Sequence, residues 1–262
     1  MTSRPPVSAF IIAQDEEDRI LSAINSVKDW VDEVIVVDSG SKDRTVSVAE
    51  AAGAKVFFNA WKGYGEQKRF AEDQCRNQWL LNIDADEEIS PELADEIRTL
   101  FAPSPRKDIY EVHIVDVYPH ETKSRKWAYG NWQYRLYDRT KGRFSPSTVH
   151  DTVRPDAGAT TAKLKGKVNH RSLRSIQFTV EKLNRYSDMQ VQDGVSRGRK
   201  ISPFRLLVEF PFSFLKSYLI RRSCLYGWWG LVVATNYAYS RFVRIAKFYE
   251  QQLIATTRDK SD

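Results

Sequence analysis

The chain has 262 residues, of which 42% are hydrophobic and 28% are charged. This composition is typical of a globular protein and excludes a disordered or collagen-like chain. The length favours one large domain with an appendage. Two cysteines, Cys75 and Cys224, cannot form a disulfide framework and lack the spacing of a metal knuckle, which favours a reducing compartment. The first residues lead into a strand-like segment, so we expect no secretory signal.

The net charge of +6 is unevenly distributed along the chain. Between positions 197 and 247 there are ten basic residues and one acidic residue, Glu209. That segment therefore carries more positive charge than the whole chain, and the remainder is net negative. A concentrated basic segment of this kind indicates an anionic partner.

The N-terminal part of the chain alternates between apolar runs of strand length and spacings typical of a helix. Strands are predicted at residues 7–13, 34–37, 55–58 and 79–83, and helices at residues 16–31, 45–52, 66–76 and 91–101. Gly53 is expected to end the second helix and Ser90 to cap the last one. Because the strands are apolar throughout, we expect an α/β fold with a mainly parallel sheet covered on both faces.

The pattern changes after residue 105. Strands predicted at residues 109–117, 133–138 and 163–170 are separated by polar loops, and a helix is predicted at residues 175–195. Residues 201–252 are aromatic, basic and helical in pattern, with expected interruptions at Pro203 and Pro211. We therefore divide the chain into residues 1–105, 106–200 and 201–262.

Carboxylates follow three of the predicted strands. They belong to the segments 14–17, 38–41 and 84–88. Ligands of an open parallel sheet bind beyond the carboxyl ends of its strands. Helix capping explains Glu16 and Glu17 equally well, but Asp84 and Asp86 lie several residues before the Ser90 cap and do not serve that helix.

Two carboxylates one residue apart at a strand end can face one hard cation. Mg²⁺ and Mn²⁺ prefer such oxygen ligands and in turn bind substrate phosphates. A phosphatase of the haloacid dehalogenase type is excluded, because Glu88 stands where that family has Thr or Val.

Three blocks of sequence, at residues 8–17, 34–45 and 81–87, resemble the signature blocks of family 2 glycosyltransferases. Further features resemble the branch that adds glucose to the lipopolysaccharide inner core, at residues 63–71, 90–94, 135–137 and 149–151. The resemblance covers nearly the full chain and is densest over residues 7–101.

This resemblance implies a GT-A fold with a helical, basic C-terminal extension. It also implies inverting, metal-dependent transfer of a hexose, glucose in the first instance, from a UDP-sugar to a lipopolysaccharide-core or related envelope glycolipid. Residues 1–105 would bind the nucleotide-sugar and residues 106–200 the acceptor. Asp38 would accept a hydrogen bond from the uracil imide, and Asp86, helped by Asp84, would hold Mg²⁺ or Mn²⁺ on the diphosphate. The expected nucleotide-sugar residues are Ala13, Gln14, Glu16, Glu17, Asp38, Gly40, Lys68, Asp84 and Ala85.

Lys68 and Arg69 follow a glycine-bearing loop and could place positive charge near the diphosphate, although both also fit a solvated helix face. Inverting transfer needs a general base that takes the proton of the acceptor hydroxyl. The resemblance assigns that role to Asp151, where relatives commonly have glutamate, with His150 as an orienting residue or metal ligand. His150 also fits an ordinary loop histidine, and no partner can be assigned to the remaining histidines.

The loop at residues 118–132 is rich in aromatic and basic residues and departs from the family pattern. Aromatic faces stack on sugars and cations bind acidic groups, so we expect acceptor contacts from Trp127, Trp132 and Arg135. An ordinary aromatic flap explains the same composition.

The segment from Phe204 to Arg222 resembles a basic amphipathic surface that lies in the headgroup region of an anionic membrane. Residues 223–240 carry no charge but barely reach spanning length, so we expect peripheral binding at the inner face of the cytoplasmic membrane. A helical subdomain or a dimer interface remains the alternative, and the oligomeric state stays open. Nucleic acid is disfavoured because no reading motif accompanies the charge.

Two other functions remain possible at this point. One keeps the fold but uses a capsule or other envelope glycan and a different donor sugar. The other is a non-catalytic, membrane-attached nucleotide-binding module. The presence of Asp151 beside the acidic pair argues against the module, because a protein that only binds has no need of a base.

Overall fold

The computed structural model describes residues 4–146 and 152–258. Within them the chain forms two compact units. The first contains the residues up to Arg125 and Gly130–Ser172, and the second contains Lys126–Tyr129 and the residues from Leu173 onward. Helix 176–196, which the sequence analysis groups with residues 106–200, belongs to the second unit.

The first unit is built on an eight-stranded sheet. Its strands are β1 (Val7–Ala13), β2 (Glu33–Asp38), β3 (Lys55–Phe58), β4 (Trp79–Asn82), β5 (Glu87–Ile89), β6 (Ile109–Asp116), β7 (Gly130–Asp138) and β10 (Thr161–His170). Two short strands, β8 (Gly142–Phe144) and β9 (Val153–Pro155), pair with each other in an antiparallel sense.

The strand order in the large sheet is β3-β2-β1-β4-β7-β6-β10-β5. Strands β3, β2, β1 and β4 are parallel, and β6 and β10 are parallel to each other. Only β7, between β4 and β6, and the edge strand β5 run against the others. The prediction of a mainly parallel sheet is confirmed, and the carboxyl ends of β1, β2, β4, β6 and β10 lie along one edge.

Four helices cover this sheet on both faces. They are α1 (Ile20–Asn25), α2 (Thr45–Ala51), α3 (Tyr64–Gln74) and α4 (Pro91–Leu100). Helices α1, α2 and α4 pack against the face that carries Ala9 and Ile11. Helix α3 and the β8–β9 pair cover the face that carries Phe10 and Ile12. Period-two alternation of side chains explains how consecutive apolar residues of β1 enter two different cores.

Local signals at the helix ends are confirmed. The Ser90 hydroxyl accepts a hydrogen bond from the Leu93 N–H at 3.2 Å and caps α4. Gly53 follows α2 with a φ of 94°, which favours glycine because a side chain there is strained. Helix α1 is much shorter than the predicted span of residues 16–31, because the chain forms turns on both sides of Ile20–Asn25. Strands β5, β8 and β9 are too short to give a sequence signal.

The second unit is helical. It contains α5 (Ile176–Ser196), α6 (Phe204–Leu215) and α7 (Trp228–Arg258), with a π-helical turn at Lys216–Ile220 and a 3₁₀ turn at Ser223–Tyr226. Its core joins Val191, Ile201, Ile245 and Phe248. Pro203 precedes α6 as expected, but the prediction that Pro211 interrupts the helix is wrong. Pro211 removes the intrahelical hydrogen bond to the Leu207 carbonyl, but α6 continues through it to Leu215.

Candidate functional site

Two loops at the carboxyl edge of the sheet, residues 13–17 and 38–45, are joined by reciprocal hydrogen bonds. The Asp15 N–H donates to the Ser41 hydroxyl at 2.9 Å, and the Lys42 N–H donates to the Asp15 carboxylate at 2.8 Å. Asp15 itself has a φ of 55°, a left-handed conformation that Asp tolerates better than most residues. The Glu16 N–H donates to the Thr45 hydroxyl at 2.7 Å. The floor of the predicted nucleotide pocket is therefore held in place before any ligand binds.

Asp38 ends β2 and is 4% exposed. Its Oδ2 accepts hydrogen bonds from the N–H groups of Gly40 at 2.8 Å and Ser41 at 3.0 Å. Gly40 has a φ of 99°, so the tight turn that brings its N–H back to the carboxylate needs glycine. Asp38 thus orders its own loop, and its predicted contact with uracil stays a prediction.

The other predicted residues of this pocket take different positions. Ala13 and Ala85 are buried, and Gln14 is exposed. Glu16 accepts a hydrogen bond from the Arg19 guanidinium at 2.8 Å, and Glu17 accepts from the Arg44 N–H at 3.0 Å. Both glutamates therefore stabilise the two loops. Neither caps α1, which begins after Arg19 without a side-chain cap, so the helix-capping alternative is wrong for them.

A buried cluster of charges surrounds Asp84, which together with Asp86 forms the acidic motif. Arg135 on β7 is 3% exposed, and its Nη2 lies 3.0 Å from Asp84 Oδ2 and 2.8 Å from Glu87 Oε1. Its Nη1 donates to the side-chain oxygen of Asn82. Lys68 on α3 is 1% exposed and lies 2.9 Å from Asp84 Oδ1. Two cations and two carboxylates thus compensate one another, and they fix the strand end that carries the motif.

The two carboxyl groups of this cluster differ in pKa. Burial alone would raise the pKa of Asp84, but Arg135 and Lys68 outweigh it and hold that pKa well below its usual range. Burial dominates at Glu87 and raises its pKa, although Arg135 opposes the shift. The Glu87 carboxylate also accepts the Asp84 N–H at 2.9 Å. Asp84 therefore stays ionised and positioned, with its side chain 32% exposed.

Asp86 faces a different set of groups. Its Oδ2 lies 3.2 Å from Arg19 Nη1 and 3.4 Å from Nε2 of His170, the last residue of β10. The other ring nitrogen, Nδ1, lies 2.9 Å from Asp116 at the end of β6. Burial would raise the pKa of Asp86, but His170 and Arg19 lower it. Burial would likewise lower the pKa of His170, yet the hydrogen bonds to Asp116 and Asp86 raise it to about 10.

This arrangement orients the His170 ring. A hydrogen bond from Nδ1 to the Asp116 carboxylate directs Nε2 toward Asp86, as in the carboxylate–histidine–metal triads of metal sites. Within residues 4–146 and 152–258, no group of three or more His, Cys, Asp or Glu side chains is arranged to hold a metal ion. Asp86 and His170 together offer two atoms that can bind a metal ion, one carboxylate oxygen and one ring nitrogen.

The predicted acceptor residues are not gathered at one surface of either unit. The prediction that Arg135 contacts the acceptor is wrong. Its guanidinium is buried against Asn82, Asp84 and Glu87, so it positions the acidic motif and does not reach an acceptor. Trp132, in the first unit, is 40% exposed, but His113 stacks on its ring at 4.8 Å and Lys163 Nζ lies 4.6 Å from the ring centroid. Trp127 belongs to the second unit and packs against Tyr226 there. His150 and Asp151 lie outside the described residues.

Sequence reasoning missed five residues that complete this site: Arg19, Asn82, Glu87, Asp116 and His170. His170 and Asp116 had a usable signal, because each stands at or beside the end of a predicted strand. The rule that selected Asp84 and Asp86 applies to them equally. Glu87 lies in the segment 84–88 that the same rule selects, whereas Arg19 had no such signal, because its contact with Asp86 joins distant segments.

An open, mainly parallel sheet with carboxylates collected beyond its strand ends is the architecture of an α/β domain that binds its ligand at that edge. Residues 8–164 match the model of the family Glycosyl transferase family 2. The match covers more than half of the chain, which therefore belongs to family 2 of the glycosyltransferases and has a GT-A type fold.

Two relatives of similar length, from Rickettsia typhi and Rhizobium meliloti, support this assignment. An uncharacterized glycosyltransferase of Rickettsia typhi is 44% identical, over 94% of this chain and 88% of its own. The lipopolysaccharide core biosynthesis glycosyltransferase LpsC of Rhizobium meliloti is 28% identical, over 100% of this chain and 98% of its own. A structure of glucosyl-3-phosphoglycerate synthase from Mycobacterium tuberculosis with Mn²⁺, UDP and glucosyl-3-phosphoglycerate is 25% identical. It has a TM-score of 0.36, and the match covers 44% of this chain and 45% of that one.

Proposed function

We propose that this glycosyltransferase moves a hexose, glucose in the first instance, from a UDP-sugar to a lipopolysaccharide-core or related envelope glycolipid, with inversion and with a divalent cation. The observation that carries the proposal is the pairing of Asp86 with His170 at the carboxyl edge of the sheet. The full-length similarity to a lipopolysaccharide core glycosyltransferase supports the acceptor class.

The residues present fit Mg²⁺ or Mn²⁺. A magnesium ion at a phosphate site commonly takes one or two protein carboxylates and completes its shell with substrate phosphates and water. The carboxylate oxygen of Asp86 suits either ion, whereas an imidazole nitrogen such as that of His170 is a ligand of transition metals and so favours Mn²⁺ over Mg²⁺. Asp86 and His170 would hold the ion, and when bound it supplies positive charge beside the departing diphosphate.

The chain's own residues perform the remaining tasks. Lys68 and Arg135 keep Asp84 ionised and fixed, so the strand end does not rearrange when a charged ligand arrives. Arg19 and His170 both place positive charge beside Asp86. Asp151 would take the proton of the acceptor hydroxyl, the role that the family resemblance assigns to it.

The experiment is a thermal melt with UDP, with Mn²⁺ and with both. A ligand at a hundred times its Kd stabilises the folded state by about 2.7 kcal/mol. For a protein of this size that free energy raises Tm by about 5–10 °C. We expect the wild type to show this shift with both ligands, and Asp86→Asn and His170→Ala to lose it. Asp95→Asn, an exposed carboxylate on α4, is the matched control and keeps the shift.

Two results would overturn the proposal. One is a wild-type protein whose Tm does not change with both ligands at high concentration. The other is an equal shift in Asp86→Asn, which would place the nucleotide or the metal elsewhere.

We also propose that the acceptor is met at a membrane surface. The basic segment that suggested this lies in the second unit. Among the described residues, no helix is both long enough and apolar enough to span a membrane. The proposal is therefore association with the surface.

A further inference from the structure

Helix α6 buries its polar side and exposes its apolar side, the opposite of a helix on the surface of a water-soluble protein. Its buried stripe is polar: Glu209 is 6% exposed and Ser213 is 3% exposed. The stripe continues beyond the helix with Ser217 and Ser223, at 2% and 4%. The exposed positions are large and apolar, namely Phe204, Leu207, Phe212, Leu215, Leu219 and Ile220, each between 54% and 74% exposed. A water-exposed helix shows the opposite distribution.

Helix α7 meets this polar stripe with small residues. Ala234 and Ala238 are fully buried, and Arg241, one turn further along the helix, bonds to Glu209. At Gly230 a Cβ atom would lie 1.7 Å from the Ser223 carbonyl oxygen, so only glycine permits this approach. Small residues and paired polar side chains at the helix interface are typical of helices whose surroundings are apolar.

The buried carboxylate is compensated within the unit. Glu209 lies 2.8 Å from Arg205 and 3.2 Å from Arg241. Burial would raise the pKa of Glu209, but Arg205 and Arg241 lower it, so it remains charged and paired. The arrangement therefore pairs the buried carboxylate with two arginines and directs apolar side chains outward.

The exposed apolar residues extend around the connection between the two helices. Leu225 is 50% exposed and Trp228 is 87% exposed. Beside them, the Arg221 guanidinium lies over the rings of Tyr129, at 5.2 Å, and Tyr237, at 4.4 Å. Trp, Tyr and Arg in company with exposed Leu and Phe are typical of the boundary between lipid headgroups and acyl chains. We call residues 204–232 the hairpin tip.

The charge of the hairpin tip and the length of α6 favour a membrane surface over a second copy of the chain as the partner of this apolar surface. The hairpin tip itself has four basic residues, Arg205, Lys216, Arg221 and Arg222, and one acidic residue, Glu209, so its net positive charge repels a second copy and attracts an anionic surface. Helix α6 has 12 residues. At a rise of 1.5 Å per residue it extends about 18 Å, whereas the hydrocarbon core of a bilayer is about 30 Å thick. Helix α6 can therefore enter one leaflet, and among the described residues no helix, the 31-residue α7 included, is both long enough and apolar enough to cross the bilayer.

We propose that the hairpin tip inserts into the headgroup–acyl boundary of a bilayer that contains anionic phospholipid, with Phe204, Leu207, Phe212, Leu215, Leu219 and Trp228 in the apolar layer. Neighbouring basic residues such as Lys216 and Arg222 meet the lipid phosphates. This inference rests on the proposed function only for the statement that the acceptor is a membrane glycolipid.

The test is co-flotation of the full chain with vesicles, without nucleotide or metal. One set of vesicles is phosphatidylcholine alone and the other also contains phosphatidylglycerol. The tip variant combines Leu207→Ser, Phe212→Ser and Leu219→Ser. The control combines Met189→Ser, Leu253→Ser and Ile254→Ser, which change exposed apolar residues of the same unit outside the tip, at 42–55% against 58–74% for the three tip residues. Circular dichroism melts show whether each variant is folded.

We expect the wild type and the control to float with the anionic vesicles and much less with phosphatidylcholine. The tip variant should partition on the order of a hundredfold more weakly, because three apolar side chains no longer enter the lipid. A folded tip variant that floats like the wild type would overturn the proposal. So would a wild type that stays unbound but sediments as a dimer that the tip substitutions dissociate, because a second copy would then cover this face. The melting shift with UDP and Mn²⁺ tests the proposed function separately.

Discussion

Replacement of Arg135 by Met tests the buried charge cluster beneath the acidic motif. The wild-type cluster contains Lys68, Arg135, Asp84 and Glu87, two cations and two carboxylates. Methionine keeps the apolar stem of the side chain but removes the charge and the hydrogen bonds to Asn82, Asp84 and Glu87. The variant therefore leaves one uncompensated negative charge, mainly on Glu87, which is 2% exposed.

The magnitude follows from this burial. Removal of one partner of a buried ion pair costs about 3–5 kcal/mol, because the remaining charge stays desolvated. At about 2–4 °C per kcal/mol for a protein of this size, Tm should fall by about 6–20 °C. Arg98→Met is the matched control. It breaks the exposed pair between Arg98 and Asp95, and such pairs contribute at most about 1 kcal/mol.

The assay is a thermal melt of Arg135→Met, of Arg98→Met, of Glu87→Gln and of the double variant Arg135→Met with Glu87→Gln. The second substitution removes the uncompensated carboxylate, so it should recover part of the lost stability. Two results would refute the reasoning. One is an Arg135→Met protein that melts as close to the wild type as Arg98→Met does. The other is a double variant whose loss equals the sum of the single losses, because the two side chains would then be independent.

Two further predictions concern single residues. Asp151→Asn should lower turnover by about 10²–10⁴-fold, as expected for loss of a general base. The melting shift with UDP and Mn²⁺ should persist in that variant, whereas turnover close to the wild type would remove Asp151 from the mechanism. Burial raises the pKa of the Cys75 thiol to about 12, and the residue is 4% exposed, whereas Cys224 is half-buried. A thiol reagent at neutral pH should therefore label Cys224 in the native protein and both cysteines after denaturation, and equal native rates would contradict the burial of Cys75.

Signals that act over a few residues gave reliable predictions. The Ser90 cap, the glycine after α2 and the apolar runs of β1, β2 and β4 depend on neighbouring residues, and each is where the pattern predicted it. Pro211 shows the limit of such a signal. A proline usually interrupts a helix, but here it lies on an exposed face of α6, and the helix continues through it to Leu215.

In the candidate site, too, local sequence predicted some residues, and contacts between distant segments were not predicted. Asp84 and Asp86 could be selected from the sequence, because their position after a strand is a local property. The sequence did not reveal that the two carboxylates have different partners. Asp84 is held by a lysine from α3 and an arginine from β7, whereas Asp86 faces a histidine from β10. Arg135 was assigned to the acceptor, because nothing in its neighbourhood along the chain indicates burial.

By itself, the sequence determined the α/β class, the family resemblance, the acidic motif and the basic character of the C-terminal segment, since each is recorded in consecutive residues. Only the tertiary structure decided which charges neutralise one another beneath the motif, which histidine faces Asp86, and which side of α6 is buried. These three depend on which distant segments the sheet and the helix pair bring together. Hydrophobic residues on α6 predicted an amphipathic helix, and only packing against α7 showed that its polar side is the one buried.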